Sequence, residues 1–145
     1  MQLSWFDHHI SHLSEGFPSN MVLLDCETTG GNATRNRIIE VGLLIIEDGK
    51  LMKRWQTFVD PEAILPPFIQ KITGITPAML VGAPVFMDVA EQLLQLIDGR
   101  TLVAHNARFD YGFLKNEFAR VGITYTTKPL CSVKFSRALY PQFNR

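Results

Sequence analysis

Three acidic residues stand in this chain where acidic residues are costly. Asp25 and Glu27 follow an apolar run, 21–24, that reads as a buried strand. Side chains alternate along a strand, so Asp25 and Glu27 leave one face while Cys26 points to the other. Two carboxylates side by side at the end of a buried strand repel each other unless a cation joins them. Hard oxygen donors of this kind suit Mg²⁺ or Mn²⁺. The third acid, Asp110, closes the string His105-Asn106-Ala107-Arg108-Phe109-Asp110. Residues 101–104 read as another buried strand, and Asn106 as the N-cap of the helix that follows. That helix carries an apolar stripe of Phe113, Leu114, Phe118 and Val121, which puts Asp110 on the face turned to the sheet. A helix dipole eases a buried carboxylate only partly; a metal shared with Asp25 explains it better. The chemistry these residues imply is divalent-cation binding.

The elements that must position them follow from periodicity and punctuation. Residues 4–15 read as a short amphipathic helix capped by Ser4, with Phe6, Ile10 and Leu13 on one side and Gly16 and Pro18 at its end. A polar loop spans 28–36. Residues 38–47 and 50–59 form a hairpin about Asp48-Gly49, a strong turn signal. Residues 68–73 and 77–80 are short helical turns. Pro84 opens a helix with Val85, Phe86, Val89, Leu93, Leu94 and Ile97 inward and Gly99 at its end. The strand at 101–105, the Asp110 helix, a strand near Leu130 and a helix over 132–140 complete the chain. A hairpin followed by alternating strands and helices predicts an α/β fold, a mixed sheet flanked by helices.

With 145 residues, 46% hydrophobic and 19% charged, the chain suits one globular domain. No apolar run approaches a membrane span, and the N-terminus lacks the basic flank and apolar stretch of a secretion signal. Two cysteines, Cys26 and Cys131, lack paired spacing, which suits reduced thiols in the cytoplasm. Fourteen basic residues balance fourteen acidic ones. The halves differ: residues 1–99 hold six Lys/Arg against twelve Asp/Glu, and 100–145 hold eight against two. Arg108, Lys115, Arg120, Lys128, Lys134 and Arg137 either flank a substrate backbone or are solvated helix faces.

Three strings, in order and in matching contexts, now resemble a known family. D-x-E-T-T-G after a strand (25–30), I-I-E-V-G opening the next (38–42) and H-N-A-x-F-D at a strand-to-helix junction (105–110) are similar to the DEDDh 3′→5′ exonucleases. The proofreading epsilon subunit of bacterial DNA polymerase III is a member. The resemblance covers residues 21 to 145, leaving 1–20 as an N-terminal helical extension. It implies a ribonuclease-H-like fold and hydrolysis of terminal phosphodiesters with two cations, Mg²⁺ or Mn²⁺. Asp25, Glu27 and Asp110 would then be both metal ligands and catalytic residues, with Asp25 shared between the metals. Thr28, Thr29 and Gly30 would meet the terminal nucleotide, or simply make a turn. Ile72-Thr73-Gly74-Ile75 resembles the family's H-G-I segment with Thr73 in place of histidine, so Ile75 is the candidate base contact. Phe109 would pack on the nucleotide or in the core; His105 would face phosphate or support the site, and Asn106 would cap the helix or touch substrate. Glu40 matches the pattern without an assigned role. His8 and His12, four residues apart on the N-terminal helix, are a weak metal pair.

One departure tempers these expectations. The string at 105–110 itself fits H-x-A-x-x-D, but the family's second such block further downstream, which supplies a general-base histidine and a fourth acid, does not follow it in this sequence. The expectation is a fold incomplete at its C-terminus, impaired in hydrolysis and prone to self-association through the uncovered sheet. The implied substrate is a nucleic-acid 3′-end, single-stranded DNA ahead of RNA, in the company of a polymerase or a fused nuclease domain. An exoribonuclease, or a non-catalytic module that docks a polymerase or nuclease, are the alternatives.

Overall fold

The computed structural model describes residues 18–140 and Gln142. The expected helix over 4–15, with its His8 and His12, lies outside the described residues. Five strands, β1 (Asn20–Thr28), β2 (Ile38–Glu47), β3 (Lys50–Phe58), β4 (Thr101–Ala104) and β5 (Leu130–Cys131), form one sheet in the order β3-β2-β1-β4-β5. β1, β2 and β3 are antiparallel neighbours, whereas β4 lies parallel to β1 and β5 parallel to β4. The helices are α1 (Pro67–Thr73), α2 (Phe86–Ile97), α3 (Ala107–Arg120) and α4 (Ser132–Leu139), with a 3₁₀ turn at Pro77–Leu80.

The two-residue alternation sorts the core into two faces. Val22, Leu24 and Cys26 of β1 and Val41, Leu43 and Ile45 of β2 point to one side. There they meet Phe86, Val89, Leu93 and Ile97 of α2 and Phe113, Leu114 and Phe118 of α3. Phe86 and Phe118 join the two helices edge to face, ring centroids 5.2 Å apart. Met21, Leu23, Leu44, Ile46 and Val103 point to the other side and are buried as well. The sheet face is therefore not left bare, contrary to the expectation from the absent block. Exposed apolar side chains gather instead on α1 and the segments flanking it, at Ile64, Phe68, Ile72 and Val81. β2, buried on both faces, reads as a nearly continuous apolar run; β3, at the sheet edge, carries Lys53, Arg54 and Gln56 outward.

Two expectations need correction. β1 runs on to Thr28, so Asp25 and Glu27 lie within the strand and pair across to Gly42 and Glu40. Asn106 holds the N-cap position of α3, but its backbone is left-handed (φ 62°, ψ 53°) and its side chain makes no capping bond. The sharp exit from β4 demands that conformation, and asparagine tolerates it better than most residues.

Candidate active site

β1 and β4 pair only over Met21–Leu23 and Thr101–Val103, then separate. In an open sheet with parallel strands, the carboxyl ends are where ligands bind. Beyond the last pair, β1 has a backbone N–H at Cys26 that α3 supplies with an acceptor: Asp110 Oδ1, at 3.0 Å and 84 positions away in the chain. This one bond brings the two acidic clusters together. Asp110 is 3% exposed and sits in the first turn of α3. Loss of water raises its carboxyl to a pKa of about 7, aided by the charges of Asp25 and Glu27 and opposed by backbone N–H groups of Cys26 and Asp110.

Asp25 reaches solvent, yet the surrounding chain displaces enough water to raise its pKa, while His105 and the Cys26 backbone pull the other way. Glu27, half-buried, is raised by desolvation, then by Asp25 and by Glu40, its cross-strand partner on β2. Glu40, without an expected role, thus adds a carboxylate beside Glu27 and is held by Gln56 Nε2 at 2.8 Å. Asp25 raises both Glu27 and Asp110, and carboxylates crowded in this way are a donor set for a hard cation. Among the described residues, no three His, Cys, Asp or Glu side chains form a ready-made metal cage. Mg²⁺ does not need one: it is commonly held by one or two carboxylates, with water and substrate phosphate completing the octahedron. The residues fit such a cation.

The remaining candidates divide. His105, just past β4, has Nδ1 3.1 Å from Ser132 Oγ at the start of α4, and its charge is felt by Asp25. Asn106 is exposed beside it. Phe109 is half-buried, its ring 4.8 Å from that of Phe113 and packed on the core. Thr28 and Thr29 are buried and their hydroxyls serve the loop: Thr28 Oγ1 donates to the Gly30 carbonyl at 2.7 Å, and Thr29 Oγ1 accepts from Arg37 N–H at 3.0 Å. Gly30 packs closely on Asn36: a Cβ there would lie 2.7 Å from Asn36 Oδ1 and would force that side chain to move. Ile75 is not presented to a ligand. It is buried among Ile39, Leu65, Ile69 and Leu80, because Thr73 Oγ1 caps the turn at Gly74 by accepting from Ile75 N–H and folds it inward.

Several residues of this region lie outside the three motif strings. Glu117 is 1% exposed and accepts from Arg37 Nε at 2.9 Å, Arg37 Nη2 at 3.0 Å and Ile38 N–H at 3.0 Å. A sequence signal for it exists: it follows Asp110 by two turns on the same apolar stripe. Cys131 lies between the starts of α3 and α4. Burial acts to raise its thiol pKa, but the backbone N–H groups of Lys134, Ala107, Val133 and Asn106 outweigh it and lower the pKa. Arg120, read from the sequence as flanking a substrate backbone or lying on a solvated helix face, is held against the 30s loop, donating to the carbonyls of Ala33 and Thr34 at 3.0 and 3.2 Å.

Comparison with known proteins agrees with this geometry. The exonuclease family profile of the RNase T type matches residues 22–145. The chain is 35% identical over 131 residues to a PolC-type DNA polymerase III of Clostridium perfringens, covering 90% of this chain and 9% of that protein. It is 36% identical over 124 residues to the 3′-5′ exonuclease DinG of Bacillus subtilis, covering 84% and 13%. It thus spans about a tenth of the length of these relatives. Among solved structures, E. coli exonuclease I in complex with a 5cy-dA13 oligonucleotide superposes with a TM-score of 0.76 at 19% identity, over 85% of this chain and 30% of that one. Exonuclease X in complex with 5′ overhanging duplex DNA gives 0.66 at 27% identity, over 83% and 64%. The five-stranded mixed sheet with its flanking helices is the ribonuclease-H-like fold of these enzymes. By sequence, fold and the placement of its acidic strings, this chain belongs to the exonuclease family.

Proposed function

We propose that residues 21–145 are a 3′→5′ exonuclease domain that removes nucleotides from DNA 3′-ends, preceded by residues 1–20 as an extension. The observation that carries this is the bond from Cys26 N–H to Asp110, which gathers Asp25, Glu27 and Asp110 at the carboxyl ends of two parallel strands. Asp25, Glu27 and Asp110 would hold Mg²⁺ or Mn²⁺. Bound there, the cations would supply charge neutralisation of the phosphoryl oxygens and a water of lowered pKa. The chain's own residues do the rest. The Cys26 N–H orients the Asp110 carboxylate, and Ser132 orients His105 beside Asp25, where its ring meets a phosphate. The Thr28-Thr29-Gly30 backbone and Asn106 flank the terminal nucleotide, with Phe109 behind it.

In residues 1–145 the one H-x-A-x-x-D string is the 105–110 block that supplies Asp110, so a polypeptide of these residues, without a second such histidine as general base, would hydrolyse slowly. A positioned general base is worth typically about 10²–10⁴ in rate. The partner is a single-stranded 3′-end, and a polymerase or second nuclease domain is the expected company; the PolC-type DNA polymerase III relatives support the first. No helix among the described residues is long and apolar enough to cross a membrane; a cytoplasmic setting is part of the proposal. So is self-association, through the exposed Ile64, Phe68, Ile72 and Val81 rather than through the sheet. The test is release of mononucleotides from 3′-labelled DNA and RNA by the intact reading frame, with Mg²⁺, with Mn²⁺ and in EDTA. Metal-dependent release from DNA ahead of RNA is expected. Turnover that survives EDTA, or a preference for internal cleavage, overturns the reading.

A further inference from the structure

The loop between β1 and β2 is built to hold one shape. Thr29 N–H donates to the Arg37 carbonyl at 2.8 Å and Thr29 Oγ1 accepts from Arg37 N–H at 3.0 Å, closing its two ends. Inside, the Asn32 carbonyl accepts from Asn36 N–H at 2.7 Å, Asn32 N–H donates to Asn36 Oδ1 at 3.0 Å, and Asn32 Oδ1 accepts from Thr34 N–H at 3.0 Å. Two guanidiniums tie this loop to its surroundings, Arg37 reaching out from its end and Arg120 reaching in from α3. Arg37 pairs with Glu117 and sends Nη1 to the Pro61 carbonyl at 3.3 Å. Arg120 Nη1 is 3.4 Å from Glu117 Oε1, while its Nη2 donates to the carbonyls of Ala33, Thr34 and, at 3.5 Å, Asn36.

Glu117 and Arg120 belong to α3, the helix whose first turn carries Asp110. A carboxylate as buried as Glu117 persists only when its lone pairs are filled, and here two arginines and the Ile38 N–H fill them. The planar fork of arginine suits this; a lysine point charge does not. The same helix therefore places Asp110 at one end and the nucleotide-flanking loop at the other. We propose that Arg37 and Arg120, hinged on Glu117, are positioning residues: they preset the loop at Thr29–Gly30 against the Asp25–Asp110 site, and so set selectivity for a free 3′-end. This rests on the exonuclease reading above and names residues that act through the loop without touching substrate.

The test uses the 145-residue chain, a 5′-fluorescein oligothymidylate with a free 3′-hydroxyl, and a circular oligothymidylate of equal length. Ca²⁺ replaces Mg²⁺ so that the end is not consumed. Wild type is expected to prefer the free end. Arg120→Gln, which leaves the bonds of Arg37 and the Ile38 N–H to Glu117 intact, should stay folded and keep its Mn²⁺ affinity. It should bind the free end roughly ten-fold more weakly, because an unheld loop must be ordered on binding. Amide exchange at Gly31–Asn36 should quicken in the same variant, and Arg120→Lys should restore part of the preference. Arg37→Lys is the second variant, expected to fold and to lose the preference more fully. If both variants keep the wild-type preference, the clasp is merely structural and the proposal fails. If wild type itself does not distinguish free from circular DNA, the 3′-end reading fails, and the positioning role falls with it.

Discussion

At the scale of single residues, this site concentrates strain that substitutions should release. Asp25 is repelled by two neighbours and raised in pKa by lost hydration. Asp25→Asn should therefore abolish metal-dependent hydrolysis while leaving the metal-free fold equal or more stable, the latter checked by urea melts in EDTA. Gly30→Ala should push aside the Asn36 side chain and break its bond with Asn32 N–H. A cost of about 1–2 kcal/mol is expected, the range for a strained loop site, read from the same melts. Far from the site, Tyr125 is buried, its hydroxyl without a hydrogen-bond partner among the described residues, and desolvation lifts its pKa from 10.0 to about 12. Because folding raises this pKa, the folded state keeps a proton that the unfolded chain loses. Stability from this group is complete below pH 10 and is lost as pH climbs through 12. Tyr125→Phe should remove that loss, so the variant outlasts wild type at pH 11, and should not destabilise at pH 7.

At the scale of elements, α3 serves two functions at once. Its inner stripe packs Phe113, Leu114 and Phe118 into the main core, and the same stripe carries Asp110 and Glu117. Phe118 is fully buried, edge-on to Phe86 and 5.3 Å from the Tyr125 ring. Phe118→Ala should cost about 3–5 kcal/mol by leaving a cavity among aromatic rings. Since that helix sets the position of Asp110, affinity for Mn²⁺, followed by electron paramagnetic resonance, should fall even under conditions where the variant stays folded. The two thiols report on β1 and on the α4 start separately. Cys131 should react with a maleimide in the native protein, since backbone N–H groups stabilise its thiolate. Cys26, buried under the sheet, should react only on unfolding.

At the scale of the whole molecule, charge balance and charge placement give different messages. The chain has no net charge, yet Arg108, Lys115, Lys128, Lys134 and Arg137 are exposed on α3, on α4 and on the segment joining α3 to β5. Arg120 is not part of that surface reserve, because it is spent on the loop. With a site built around one strand terminus, only a few phosphates should be contacted. The logarithm of oligonucleotide affinity should then fall with the logarithm of salt at a slope of about −1 to −3. A slope near −6 would indicate a long phosphate track across α3 and α4 and a different mode of binding.

The local grammar of the chain is legible in its residues alone. Asp48-Gly49 makes a hairpin wherever it falls between apolar strands, and the stripe of α3 makes a helix with one inward face, so these elements need only nearest-neighbour physics. The alternation that puts Asp25 and Glu27 on one face is equally local. Tertiary structure decides what lies between elements. Whether β1 and β4 separate early enough to free the Cys26 N–H depends on strand register, and that bond is what joins two clusters 84 positions apart. Asn106 reads as a cap because capping is a local preference; the turn out of β4 imposes a left-handed backbone instead. Ile75 reads as a base contact because its motif does; packing against Ile39 and Leu65 draws it into the core. The Arg37–Glu117–Arg120 clasp joins residues 80 positions apart, and a charged side chain on an apolar stripe is ambiguous until its partner is in place. Residue types and spacing determined the kind of chemistry available, and the meeting of strand ends and helix faces decided which of those residues share a site.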